Sequence, residues 1–140
     1  SQLARREARR LGFYEALLLN DKGFLAEAAG SNVFLVLNGR LVTPSADQGI
    51  LPGITRNSII EVAERLGFKV VERAVARGEL YVADEIFLCG TAEEITPVIE
   101  VDGKPVGNGE PGRLTRILQK EFFSIVRGER PKYYKWLTFL

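Results

Sequence analysis

The 140-residue chain contains no histidine, no methionine and a single cysteine, Cys89. Without histidine, acid–base catalysis by an imidazole is excluded. One cysteine cannot form a disulfide within the chain, and one cysteine without histidine argues against zinc or another soft metal ion. Any chemistry therefore depends on carboxylates, hydroxyls, cationic side chains, backbone groups or an organic cofactor.

Long apolar runs and an excess of charge of one sign are also missing. No segment is apolar enough for long enough to cross a bilayer, and the N-terminal arginines Arg5, Arg6, Arg9 and Arg10 are not followed by the apolar core of a signal peptide. We therefore expect a cytoplasmic protein. Nineteen basic residues against 18 acidic ones give no general reason to expect nucleic acid or a membrane as a partner. Because no methionine opens the chain, we interpret Ser1 as a cut end.

Periodic patterns predict one domain of mixed α and β structure, an α+β fold with largely sequential hairpins. Apolar positions in residues 1–11 follow a helical period, and their arginines form a solvated helix face or, alternatively, a nucleic-acid patch. Two hairpins follow, and the second turns at Asn38-Gly39, a pair that favours a type I′ turn. The predicted strands are residues 15–20, 24–27, 33–37 and 40–43, before a loop over 44–52.

The second half of the chain has three predicted helices and further strands. Thr55 to Leu66 is helical, with Ile59, Ile60, Ala63 and Leu66 on the buried face and Gly67 as the stop. The other predicted elements are strands at 68–75 and 85–89, a short helix at 79–83, a strand pair around 101–104 and a helix at 114–126 with Ile117, Leu118, Phe122 and Ile125 inward. The aromatic tail, residues 128–140, needs a surface to pack on.

Two short segments have the properties of phosphate-binding sites, although neither is a P-loop. Gly53-Ile54-Thr55 opens a helix, where free N–H groups and the helix dipole favour an anion and Thr55 adds a hydroxyl donor. Gly90-Thr91-Ala92 ends a buried strand, where glycine permits close approach of a ligand and threonine offers a hydroxyl. Taken singly, each segment also fits an ordinary helix cap or turn.

Glu27 is placed differently from the other acidic residues. It follows Phe24-Leu25-Ala26 and precedes Ala28-Ala29-Gly30, so that a carboxylate lies among small apolar residues with no adjacent cation. A partly buried carboxylate needs a partner. Either an arginine elsewhere in the fold or a protonated ring nitrogen of a ligand would satisfy it.

Together these residues resemble the signature of the class IV pyridoxal-phosphate aminotransferases. The shared positions are Glu27-x-Ala29-x-x-Asn32-Val33-Phe34, Leu41-x-Thr43 and Leu51-x-Gly53-Ile54-x-Arg56. Within the family, Leu51 to Arg56, Gly90 to Ala92 and the Trp136-Leu137 ending are most similar to branched-chain amino acid aminotransferases. The resemblance implies fold type IV, the D-amino acid aminotransferase-like fold, with residues 1–140 as the C-terminal, cofactor-binding large domain.

The resemblance also implies roles for these residues. Glu27 would keep the pyridine nitrogen of pyridoxal 5'-phosphate protonated. The phosphate would be bound by Gly53, the amides of Ile54 and Thr55, the Thr55 hydroxyl, Gly90 and Thr91, with Leu51 packed on the ring. Thr91 and Ala92 would also bind the substrate carboxylate. We give Asn32 and Arg56 no catalytic role: Asn32 is expected to fix the turn after Glu27, and Arg56 to pair with a nearby carboxylate.

None of the six lysines matches the family's Schiff-base lysine, which the resemblance places before Ser1. We therefore expect no catalytic residue in this chain and no activity from it alone. The missing N-terminal half would complete an L-leucine, isoleucine and valine transaminase that uses 2-oxoglutarate and forms a homodimer or higher homo-oligomer. A D-amino acid aminotransferase, an aminodeoxychorismate lyase or a non-catalytic module of this fold are the alternatives.

Overall fold

A computed structural model of the chain describes residues 17–28, 31–48, 53–90 and 94–126. The predicted N-terminal helix over residues 1–11 and the aromatic tail over 128–140 lie outside these described residues. Within them the fold is mixed, with nine strands, two α-helices and two short 3-10 helices.

The first hairpin forms a separate two-stranded sheet. Strand β1 (Leu17–Leu19) pairs antiparallel with β2 (Leu25–Ala28). The Asn20 side chain closes the turn, because its Oδ1 accepts hydrogen bonds from the backbone N–H groups of Lys22 and Phe24, each at 3.0 Å. The predicted hairpin is confirmed for the residues that the structure describes.

The main sheet has five strands in the order β5-β4-β3-β6-β7. These are β3 (Asn32–Leu37), β4 (Arg40–Pro44), β5 (Val70–Arg73), β6 (Glu85–Gly90) and β7 (Glu94–Val98). The β3–β4 turn has positive φ at Asn38 (51°) and Gly39 (76°), which confirms the predicted type I′ geometry.

The prediction of largely sequential hairpins is wrong for two pairings of this sheet, that of β3 with the non-consecutive β6 and that of β4 with β5. Strands β4 and β5 are parallel, because the helix between them returns the chain to the end at which β4 began. Strand β7 was not predicted from the sequence, because its Pro97 weakens the strand pattern. Proline is tolerated there because, among the strands that the structure describes, β7 lies at the edge of the sheet and pairs with β6 alone.

The helix between β4 and β5, α1 (Ile54–Arg65), begins and ends within one residue of its prediction. Gly67 closes it at φ +89°, and the N–H of Phe68 donates to the carbonyl of Ala63 at 3.0 Å, as in a Schellman motif. One face residue was predicted wrongly: Leu66 is 39% exposed, because the helix has ended and the chain turns away there. Val62 is buried in its place.

Both faces of the main sheet are buried, and β3 is accordingly apolar from Val33 to Leu37. One face packs Phe34 and Phe87, stacked with ring centroids 5.0 Å apart, under α1 and the second helix, α2 (Arg113–Val126). The other face, with Val33 and Leu35, packs against β2 and the segments that follow β5 and β9. The sheet therefore holds the ends of its strands in fixed positions relative to both helices.

Shorter elements complete the fold. They are 3-10 helices at Ala46–Gln48 and Arg77–Tyr81, and the hairpin of β8 (Glu100–Val101) and β9 (Lys104–Pro105). The predicted short helix at 79–83 therefore starts two residues earlier and is a 3-10 helix, whereas the strand pair around 101–104 is confirmed. In α2, Leu118 is buried as predicted and Ile117 and Phe122 are half-buried. No helix within the described ranges is long and apolar enough to cross a membrane.

Candidate anion-binding site

The first turn of α1 has backbone donors that find no partner within the helix itself. Gly53 precedes the helix in an extended conformation and, lacking a side chain, supplies no capping hydrogen bond. The first helical hydrogen bond runs from the N–H of Asn57 to the carbonyl of Gly53 at 3.2 Å, so the N–H groups of Ile54, Thr55 and Arg56 precede the helical ladder. With the half-buried Thr55 hydroxyl, this helix end has the donors that an anion requires.

Asn32 links this helix end to the end of β6. A methyl group on Gly53 would lie only 3.2 Å from the Asn32 Oδ1, so the two residues are in close contact and glycine is the residue that leaves room. Asn32, 7% exposed, pairs with Cys89 across the β3–β6 ladder, and Gly90 is the next residue of β6. Gly53 thus contacts a residue that is paired with the strand position next to Gly90.

From the sequence, Asn32 was expected only to fix the turn after Glu27. Its contact with Gly53 is a second relationship, which the sequence analysis missed. The only signal was that Asn32 and Gly53 occur in one motif. A shared motif does not tell which of its residues touch.

Arg56 belongs to the first turn of α1 and is buried, at 3% exposed. Its Nη2 donates to the Glu72 carboxylate at 2.7 Å and to the carbonyl of Pro44 at 3.0 Å, and its Nη1 donates to the Asn57 side chain at 3.1 Å. The predicted pairing with a carboxylate is confirmed, although the sequence did not identify Glu72. Nε is buried and has no hydrogen-bond partner in the part of the chain that the structure describes.

Glu27 lies on β2, in the two-stranded sheet, whereas Asn32 and Gly90 belong to the main sheet. It is half-buried, beside the buried Leu25 and Ala26, as the sequence predicted for a carboxylate in an apolar setting. Strand β2 is held to the segment after β5 by the hydrogen bond from the N–H of Leu25 to the carbonyl of Val75, at 2.8 Å.

Three of the predicted site residues, Leu51, Thr91 and Ala92, lie outside the described residues. For Ile54 the backbone is described and the side chain is not. The structure therefore brings together Gly53, the backbone of Ile54, Thr55 and, through Asn32, Gly90. The roles of all these residues toward a ligand stay predictions.

Comparison with known proteins gives consistent matches. The family model described as "Amino-transferase class IV" matches residues 1–101. A relative from Aquifex aeolicus named "Probable branched-chain-amino-acid aminotransferase" is 50% identical over 139 residues, which cover 99% of this chain and 45% of that protein.

Solved structures agree with this match. The Escherichia coli branched-chain amino acid aminotransferase superposes with a TM-score of 0.94 at 45% identity, over 98% of this chain and 46% of that one. The enzyme from Thermobaculum terrenum, crystallised in its PLP (holo) form, gives 0.94 at 47% identity, over 98% and 45%. The chain thus spans about half the length of these relatives.

Proposed function

The chain belongs to the class IV aminotransferase family, and on this premise we propose that it is the C-terminal, cofactor-binding part of a branched-chain amino acid transaminase that uses pyridoxal phosphate. Its fold is that of the branched-chain aminotransferases of fold type IV. The observation that carries the proposal is the uncapped start of α1 at Gly53, in contact with Asn32 beside the end of β6.

The donor set of this helix end fits a phosphate group. Three N–H groups precede the first helical hydrogen bond, and the positive end of the helix dipole lies at the same place. A side chain at Gly53 would press against the Asn32 Oδ1, so glycine keeps the approach open. A phosphate that accepts hydrogen bonds from these groups would satisfy donors that the N-cap residue leaves free.

We assign the remaining roles by similarity to the family motif. The Thr55 hydroxyl, the amides of Ile54 and Thr55, and Gly90 and Thr91 would hold the phosphate. Leu51 packs on the cofactor ring. The amides around Thr91 and Ala92 bind the substrate carboxylate, so that one strand end serves two anions.

Glu27 would face the pyridine nitrogen of the cofactor. As a carboxylate it only accepts hydrogen bonds, and it therefore keeps a proton on the pyridine nitrogen. When bound, pyridoxal phosphate supplies a protonated aromatic ring that withdraws electron density from the α-carbon of the substrate. Because Glu27 is half-buried, less water would compete with its hydrogen bond to the ring.

The proposed reaction moves the amino group of L-leucine, L-isoleucine or L-valine to 2-oxoglutarate. The lysine general base and the pocket for the substrate side chain are assigned to the part of the enzyme's length that these 140 residues do not span. The cytoplasmic location and the homo-oligomeric state stay predictions. By this proposal, the 140-residue chain alone does not transaminate, and robust turnover by it would contradict the assignment of the lysine.

Titration of the intact enzyme, stripped of cofactor, with pyridoxal phosphate tests the cofactor site. Removing one hydrogen bond to a charged group costs about 1.5–3 kcal/mol, so Thr55→Ala and Thr91→Ala should each weaken affinity by roughly tenfold to a hundredfold. Thr55→Ser keeps the hydroxyl and is the matched control, with affinity close to that of the parent. Unchanged affinity in both alanine variants would refute the assigned phosphate site.

Substrate assays of the same intact protein test the reaction. Turnover of L-leucine with 2-oxoglutarate is expected, and D-alanine and aminodeoxychorismate should not react. Reaction of D-alanine would make the protein a D-amino acid aminotransferase, and release of a product from aminodeoxychorismate would make it a lyase. Either result without turnover of L-leucine would remove the branched-chain assignment while leaving the cofactor site intact.

A further inference from the structure

Arg56 joins the start of α1 to the ends of two parallel strands. Its Nη2 donates to the carbonyl of Pro44, the last residue of β4, at 3.0 Å and to Glu72 on β5 at 2.7 Å. In the β4–β5 ladder, Glu72 pairs with Thr43, the neighbour of Pro44. One guanidinium therefore ties the first turn of the helix to one edge of the main sheet.

The two side chains of this ion pair differ in burial. The Arg56 side chain is 3% exposed, whereas that of Glu72 is 48% exposed. A buried guanidinium must be matched by acceptors in fixed positions, because water cannot replace them. The Glu72 carboxylate, the Pro44 carbonyl and the Asn57 side chain are those acceptors, and a planar guanidinium holds them with a defined orientation.

The position of Arg56 in the helix connects this anchor to the candidate site. Arg56 immediately follows Thr55, and successive helical residues point about 100° apart. While Arg56 is held against the sheet edge, the direction of the Thr55 side chain and of the first-turn N–H groups is fixed too. Those are the groups assigned to the phosphate.

We propose that Arg56 is a positioning residue for the phosphate, with Glu72 as its anchor, and that it sets the orientation in which the first turn of α1 meets that group. This inference rests on the proposed function, because it presumes that a phosphate binds at Gly53-Ile54-Thr55. Arg56 does not itself touch the cofactor. Loss of the anchor lowers the contribution of the phosphate to binding and leaves the contribution of the ring unchanged.

Comparison of pyridoxal phosphate with pyridoxal separates positioning from a purely structural role. The two ligands share the ring and the aldehyde and differ in the phosphate. The intact enzyme, stripped of cofactor, is titrated with each ligand at a temperature well below the thermal midpoint of every variant. For Arg56→Lys and Glu72→Gln we expect Kd for pyridoxal phosphate to rise about tenfold and Kd for pyridoxal to change less than about threefold.

The same helix provides matched controls. Arg65 pairs with Glu61 at 3.2 Å near the other end of α1, and both side chains are exposed. Arg65→Lys and Glu61→Gln should leave both dissociation constants unchanged. The double variant Arg56→Lys/Glu72→Gln should have a Kd for pyridoxal phosphate no higher than that of the single variant with the higher Kd. Both substitutions break the same contact, so their effects should not add.

The outcomes distinguish a failure of the positioning role from a failure of the proposed phosphate site. Equal losses of affinity for both ligands in Arg56→Lys and Glu72→Gln would overturn the positioning role. Arg56 would then stabilise the fold without orienting the phosphate site. If the unsubstituted enzyme bound pyridoxal phosphate no more tightly than pyridoxal, the proposed phosphate site itself would fail. Should Arg56→Lys not fold, Glu72→Gln decides alone, because its half-exposed side chain can be replaced without burying a new group.

Discussion

The carboxylate of Glu85, the first residue of β6, caps the N-terminus of α2 through Thr115. Its Oε1 accepts hydrogen bonds from the Thr115 N–H at 2.8 Å and hydroxyl at 2.7 Å, and its Oε2 accepts from the Leu114 N–H at 3.2 Å. A cap normally comes from the residue before the helix, whereas this one comes from a strand about thirty residues earlier. The negative charge also lies at the positive end of the helix dipole.

Replacing Glu85 should therefore destabilise the fold measurably. Glu85→Ala leaves two N–H groups and the fully buried Thr115 hydroxyl without their acceptor, at a cost of about 1–3 kcal/mol in the free energy of unfolding. Glu85→Gln keeps one acceptor oxygen and should cost less. Urea denaturation measures both, with Glu100→Ala, an exposed acidic residue of β8, as the control. Equal stabilities for Glu85→Ala and the control would disprove the cap.

A second prediction concerns Gly112, which makes room for this carboxylate. A Cβ on Gly112 would lie 2.0 Å from both Cγ and Cδ of Glu85. Because three hydrogen bonds hold the Glu85 side chain, Gly112→Ala should displace it and destabilise the protein by about the same 1–3 kcal/mol.

A double-mutant cycle isolates that relationship. In the Glu85→Ala background the methyl group of Gly112→Ala meets no carboxylate, so the second substitution should cost much less there. Additive losses in the cycle, again from urea denaturation, would mean that Gly112→Ala acts through something other than Glu85.

Local turn and cap chemistry is the part of the fold that the sequence predicts well. Asn38-Gly39, Asp102-Gly103 and Gly67 all adopt the positive φ that their residue types favour, and each ends or reverses an element at the predicted place. These features depend on a few neighbouring residues. They can therefore be inferred before the rest of the fold is known.

Contacts between distant elements were not predicted, since many residues of suitable charge compete for each partner. A carboxylate partner was predicted for Arg56 without identifying Glu72, and the cap of α2 by Glu85 was not predicted. The candidate site likewise has a part that was predicted from local patterns and a part that was not. Gly53 and Gly90 were each identified from local patterns, but their connection through Asn32 follows only from the pairing of β3 with β6.

Gly107 provides a prediction about backbone space. Its φ is +58°, and a Cβ there would lie 2.6 Å from the carbonyl oxygen of Asp84, a backbone atom that cannot rotate away. Gly103 has a similar φ of +78° with nothing within 4 Å of its would-be Cβ. Gly103→Ala should cost only the strain of the left-handed conformation, about 1–2 kcal/mol. Gly107→Ala should cost about 1–3 kcal/mol more, because of the added steric clash.

Thermal and urea unfolding of the two alanine variants test this difference. Gly103→Ala serves as the matched control, since it shares the conformation and lacks the close contact. If Gly107→Ala were as stable as Gly103→Ala or more stable, the backbone near Asp84 would have moved away from the new methyl group at little cost in free energy.

The ion pair between Arg73 and Glu79 predicts how stability changes in acid. Two hydrogen bonds join the side chains, at 2.6 and 3.0 Å, and the Ala76 N–H donates to the same carboxylate at 2.7 Å. The Arg73 guanidinium lowers the pKa of Glu79 below its ordinary 4.5, against the opposing effect of burial. The folded state thus favours the carboxylate, and this stabilisation is complete above about pH 4.5 and is lost as the pH falls through the lowered pKa.

Glu79→Gln should therefore weaken the acid dependence of stability. At neutral pH the loss is at most about 1 kcal/mol, because both side chains are partly exposed and water screens them. Below pH 4.5 the variant and the parent should converge, since protonation removes the same charge from the parent. The free energy of unfolding in urea, measured from pH 7 to pH 3, gives both curves. In an Arg73→Gln background most of this difference should disappear, and a difference that persisted unchanged there would show that Arg73 is not its cause.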